Sequence, residues 1–197
     1  MNSPALDELI VRIKNCTLCE PQLPLGANPV FTAHANAQVL IIGQAPGTKV
    51  HNTNIPWNDP SGDRLRDWLQ VDKDTFYNSE KFAIIPMGFC YPGKGKSGDL
   101  PPRPECAPTW HNQLLEKLPN IQLTLLIGSY AQNYYLGKNK KRTLTETVKS
   151  CEDYLPTYFP LPHPSPRNRL WLKKNPWFEE TVVPKLRQAL LGKNVYF

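Results

Sequence analysis

The sequence predicts a three-layer α/β/α domain built on a central four-stranded, mostly parallel sheet. Two observations lead there. Four short apolar runs punctuate the chain without clean polar alternation, as expected of strands covered on both faces. Helical spacing lies between those runs, and strands alternating with helices build a layered sheet with connections on both sides. The 197 residues suffice for one ordinary domain, read here as residues 1–197.

The elements follow in order. Ser3 and Pro4 read as the N-cap and first residue of a helix whose apolar face is Leu6, Leu9, Ile10 and Ile13. Residues 20–37 are rich in Pro, Gly and Asn and predict an irregular crossing. The predicted strands are 38–43, 82–89, 121–128 and, more weakly, 158–162. Helices are predicted around Leu65, Trp68 and Leu69, over 105–118, and over 129–136 with Ser129 as N-cap. A last helix over 178–191 opens on Glu179 and Glu180 and ends at Gly192, with Pro184 forced to kink or split it.

Composition narrows the function. Lys and Arg number 23 against 17 Asp and Glu, a net +6 that permits an anionic partner. The longest apolar runs are far too short to span a membrane. Asp7 and Glu8 sit where a signal peptide would carry Lys or Arg, so a cytoplasmic location is expected. There, five cysteines are expected free, catalytic or metal-bound rather than paired as disulfides.

Three Gly- and Pro-rich segments follow predicted strands directly: GQAPG over 43–47, GFCYPG over 88–93 and HPSPRN over 163–168. Ligands of parallel α/β sheets bind at the C-terminal strand ends, so these loops are the candidate site. GQAPG lacks the Lys-Ser/Thr of a phosphate loop, which disfavours a nucleotide hydrolase.

The ordered set of loops resembles the uracil-DNA glycosylase superfamily from Cys16 to about Trp177. GQAPG is similar to the first motif of that superfamily. The ten residues 48–57 before NDPSGDRL resemble the spacing of its iron–sulfur (fourth-family) members, and HPSPRN resembles the second motif of the single-strand-selective monofunctional class. The resemblance implies a monofunctional DNA glycosylase that flips out and excises a deaminated or damaged base, uracil or a relative. It implies Trp57 as the stacking platform, His163 as donor to a base carbonyl, and Arg167 and Asn168 as wedge and backbone contact. Gly43, Ala45, Pro46, Gly47 and Ser165 complete the expected base pocket. It also implies DNA as partner, and the protein is expected to be a monomer.

The iron–sulfur members place four cysteine ligands as this chain places Cys16, Cys19, Cys90 and Cys106. The implied cofactor is a [4Fe–4S] cluster, with zinc or no metal as alternatives. Cys151 lies outside that set and is expected to pack in the core.

Two differences, at three positions, depart from the superfamily pattern. Where its fastest members carry a water-activating Asp in the first motif, this chain has Ala45, and where the iron–sulfur members carry Glu, it has Gln44. Gln44 can orient water but not take its proton. The base-reading Asn on the second strand is replaced by Pro86, which offers only a carbonyl. Asp59, Asp63 and His51 are the candidates to compensate. A nucleic-acid-binding protein without hydrolysis is therefore the alternative reading. Arg167, Arg169, Lys173 and Lys174, interleaved with Trp171 and Trp177, form a basic stretch and point to nucleic-acid contact.

Overall fold

In the computed structural model, residues 2–193 and 195–196 are described. Four strands, β1 (Val39–Ile42), β2 (Phe82–Ile84), β5 (Leu123–Ile127) and β6 (Tyr158–Leu161), form one sheet in the order β2-β1-β5-β6. All its pairings are parallel, with Val39 opposite both Phe82 and Leu123, and Ile127 opposite Leu161. A separate antiparallel hairpin, β3 (Lys94–Gly95) and β4 (Gly98–Asp99), was not expected.

The sheet explains its own sequence pattern. Val39 and Ile41 enter one core layer while Leu40 and Ile42 enter the other, so no position on β1 is left for a polar residue. One layer holds α3 (Pro60–Leu69), α4 (Lys73–Tyr77) and α9 (Val183–Leu190), through Trp68, Phe76 and Leu186. The opposite layer holds α1 (Pro4–Lys14), α5 (Cys106–Leu115) and α6 (Ser129–Leu136), through Leu6, Leu114 and Ala131. Cys151 is buried in the first layer, as expected.

Several boundaries shift for identifiable reasons. β2 ends at Ile84, and Pro86, lacking an N–H, cannot continue on the outer edge the pairing that Ile84 makes with Thr32; the chain stays beside β1, with Ile85 N–H donating to Ile41 O and Met87 N–H to Gly43 O. The crossing over 20–37 covers the outer edge of β2 through reciprocal hydrogen bonds between Thr32 and Ile84. Pro160 is tolerated because β6 is an edge strand. At α6 the N-cap is Gly128, and Ser129 is the first helical residue. Pro184 splits the tail into a π turn, Phe178–Val182, and α9. Leu191 is the C-cap of α9, and Gly192 follows it with φ +78°.

From β1 the chain steps outward to β2; from β5 it steps outward to β6 on the other side. The switch point lies at the C-terminal ends of β1 and β5, where open α/β sheets bind ligands. The remaining helices are α2 (Thr48–Thr53), α7 (Leu144–Lys149) and α8 (Arg169–Lys174). Among the described residues no helix is long and apolar enough to cross a membrane.

Candidate active site

A cavity of about 500 Å³ opens at the C-terminal ends of β1, β2 and β6. Its walls take residues 43–47, the turn before α3, the hairpin β3–β4 and the loop after β6. Most expected pocket residues meet there: Gly43, Gln44, Ala45, Pro46, Gly47, Trp57, Asp59, Pro86, His163, Ser165, Arg167 and Asn168. Asp63 and His51 do not line it. The Asp63 carboxylate bonds Arg66 at 2.6 Å, and the His51 ring packs edge-on to Tyr91 at 6.2 Å.

Trp57 is held in a left-handed conformation, φ +57°, which costs a bulky residue of order 1–3 kcal/mol and persists only where its surroundings impose it. They do. The indole lies against the backbone of Gly43, where any Cβ would stand 2.7 Å from Trp57 Cζ2. Gly62 makes room for the Trp57 carbonyl in the same way. The indole also meets the His163 ring at 5.5 Å between centroids, tilted by 34°.

His163 is fixed from three directions. Its Nδ1 accepts the Ser165 N–H at 3.2 Å, and its carbonyl accepts from Asn168 Nδ2 at 2.7 Å. Arg64 on α3 donates to the carbonyls of Pro164 and Ser165, holding the loop from below. Burial drives the His163 pKa down to about 4, against the opposing pull of the Asp59 carboxylate. The ring is therefore neutral at pH 7. Because Nδ1 is an acceptor, the proton sits on Nε2, leaving an N–H donor for a ligand.

Asp59 is the N-cap of α3, its Oδ1 accepting the Gly62 N–H at 2.9 Å. Gln44 Nε2 donates to Leu100 O at 3.2 Å, so its Oε1 remains as an acceptor. Arg167 does not project as a free wedge. Its Nη1 donates to Ser97 O at 3.1 Å and clasps the hairpin, a contact that only a glycine at position 98 leaves room for. The hairpin thereby brings Ser97 and Asp99 into the cavity wall, and α3 contributes Ser61. Sequence reasoning passed over these residues and Arg64. The one available signal was the pair Gly95 and Gly98 around Lys96-Ser97, a hairpin turn signature.

A family model described as the uracil DNA glycosylase superfamily matches residues 29–187. That is 159 of the 197 residues, and it contains every loop that lines the cavity.

The chain belongs to the uracil DNA glycosylase superfamily.

Membership brings DNA glycosylase chemistry in general and DNA as the substrate class. Against the superfamily pattern, the substitution at Pro86 reaches further than the sequence implied. The Pro86 carbonyl accepts His111 Nε2–H at 3.0 Å. His111 is fully buried on α5, its Nδ1 2.6 Å from the Tyr135 hydroxyl, and burial lowers its pKa to about 4. The one polar group that Pro86 offers thus already accepts a hydrogen bond from His111.

The superfamily match begins after Cys16 and Cys19. In the fold these two join Cys90 and Cys106 at one corner: Cys19 feels the charge of Cys16, Cys90 that of both, and Cys106 that of all three. Burial is the main cause that pushes the Cys90 thiol up to about 11 and that of Cys106 up to about 12. Among the described residues no three His, Cys, Asp or Glu side chains are set to hold a single metal ion. A [4Fe–4S] cluster is a larger body and takes its four thiolates further apart.

The aromatic part of the basic stretch turns inward. Trp171 and Trp177 pack on Phe178 in the first core layer, and their indole N–H groups bond Thr145 and Asn175. Lys173 and Lys174 on α8 are exposed, while Arg169 and Leu170 precede them, Leu170 with 71% of its surface open. The cations remain available to phosphates, while the tryptophans are half-buried against Phe178.

Proposed function

We propose that the protein is a monofunctional DNA glycosylase that excises a flipped, deaminated base, uracil or a related carbonyl-bearing base. The neutral His163, with its proton held on Nε2, carries this reading. As the C1′–N bond breaks, its electron pair leaves with the base and negative charge grows on a base carbonyl. A fixed N–H donor stabilises that charge without itself having to ionise. Trp57, stiffened by Gly43 and Gly62, supplies the flat face beside it. No lysine lines the cavity among the described residues, which fits hydrolysis rather than Schiff-base chemistry.

Cys16, Cys19, Cys90 and Cys106 are proposed to hold a [4Fe–4S] cluster. A bound cluster would supply a covalent tie between the end of α1 and the start of α5, across the loop that carries the hairpin. The protein is proposed to act as a monomer in the cytoplasm. The replacements at Ala45 and Pro86 favour one alternative, a DNA-binding protein without hydrolysis.

A single-turnover assay on oligonucleotides bearing uracil, hypoxanthine, xanthine or alkylated bases separates the two. Free base with an abasic site is expected from at least one deaminated substrate. Binding without release from any of them would leave the DNA-binding alternative.

A further inference from the structure

The first motif has lost its carboxylate, but the cavity has not lost an acid. Asp99 lies on the short strand β4, remote in sequence from residues 43–47, yet it forms part of the same wall. Its Oδ2 stands 3.4 Å from where a side chain on Gly47 would begin. Three ties set that position. Arg167 holds the hairpin through Ser97 O, Gln44 holds the next residue through Leu100 O, and Leu100 N–H closes the hairpin base on Gly93 O at 2.8 Å. Two of these ties come from the two motifs themselves.

We infer that Asp99, delivered by the hairpin, is the water-activating carboxylate of this enzyme. The inference rests on the glycosylase reading and names the base that the first motif lacks. Two acceptors then face one water: Gln44 Oε1, whose amide N–H is engaged by Leu100 O, and the Asp99 carboxylate. They match the two hydrogens of water and leave its lone pair for C1′. The water oxygen bonds to C1′ as the C1′–N bond breaks. Its proton passes to Asp99, which returns one through solvent to the departing base, so the products are free base and an abasic sugar.

Asp59 is the rival and is less suited. Its Oδ1 caps α3, so protonation would weaken an N-cap worth about 1 kcal/mol at each turnover. The Asp99 carboxylate has no hydrogen bond or ion pair among the described residues, so it can take a proton without loosening any part of the fold.

The test is Asp99→Asn in single-turnover base release, on a substrate that the wild-type protein cleaves. A loss of at least about 10²-fold is expected, within the usual range for a positioned base, with DNA binding kept or tightened as a negative charge is removed. Asp99→Glu should recover part of the rate. Asp59→Asn, whose amide oxygen still caps α3, should lose less. If Asp99→Asn stays within about threefold of wild type, or if Asp59→Asn loses more, the assignment of Asp99 is overturned while the glycosylase reading stands. If the wild-type protein releases no base from any substrate, both fall together.

Discussion

Replacing His163 with alanine removes the one donor whose protonation and tautomer the fold dictates. The expected loss is worked from its surroundings. A single preorganised donor to a developing anion is worth roughly 10²–10³ in rate, about 2.7–4 kcal/mol. Loss of the ring also removes the partner of Trp57, a tilted contact worth about 0.5–1.5 kcal/mol in holding the indole. The loop should survive, because Asn168 and Arg64 bond its backbone rather than the imidazole. His163→Ala should therefore lower single-turnover base release at pH 7 by about 10²–10³, with DNA binding nearly unchanged. His163→Gln should regain part of the loss, since an amide can still donate. The pH profile tests the protonation state separately. With its pKa near 4, His163 is neutral across pH 5–8 and should impose no slope there. An imidazolium acting from the ordinary value of 6.5 would instead make the rate fall about tenfold per pH unit above it. Full activity in His163→Ala, or that alkaline fall in wild type, would refute the neutral-donor argument.

Three further outcomes are expected. Anaerobically purified protein should be brown; Cys16→Ala should bleach it, Cys151→Ala should not, and colourless protein without iron would remove the cluster. Lys173→Ala with Lys174→Ala should weaken DNA binding for all sequences and flatten its salt slope by roughly two, whereas an unchanged slope would make α8 an ordinary solvated face. Urea unfolding in the His163→Gln background, which removes the other histidine shifted to about 4, should report His111: its folded pKa of about 4 lies below the ordinary 6.5, so the unfolded chain binds the proton first. Its contribution, roughly 3 kcal/mol, should be complete above pH 6.5 and lost as pH falls toward 4, and a stability flat between pH 7 and 5 would contradict its burial as a neutral group.

Much of the fold was legible because burial writes itself into local pattern. A strand whose alternate residues enter two cores, such as β1, has to be apolar throughout, and Pro4, Pro184 and Gly192 mark helix ends by backbone chemistry alone. Two of the cavity loops, 43–47 and the one after β6, were legible for a related reason, since each follows a strand; GFCYPG over 88–93 follows one too but does not line the cavity. The misreadings share a cause too: they concern which way a side chain turns. Trp171 and Trp177 alternate with cations in sequence as nucleic-acid-binding aromatics do, yet both turn toward Phe178, Trp171 from α8 and Trp177 from the segment after it. Asp63 and Asp59 stand four residues apart, and helix geometry sends one to Arg66 and the other to the cavity. The hairpin had no apolar pattern to reveal it, because two-residue strands of Lys, Gly and Asp bury almost nothing. Its position depends on Arg167, seventy residues beyond Ser97.

That long-range clasp changes what the second motif does in this protein. The loop after β6 fixes the His163 tautomer through Ser165, and through Arg167 it also holds the hairpin against the cavity. Gln44 adds a tie from the first motif to the hairpin base. Each motif thus has one group at the cavity and one bond to the segment that carries Asp99. His111 also donates to the Pro86 carbonyl, at the position of the lost base-reading amide. A base seated here meets a fixed N–H donor at His163 Nε2. That donor favours a base that turns a carbonyl oxygen toward it over one that turns an amino group there, which is the chemical difference deamination makes.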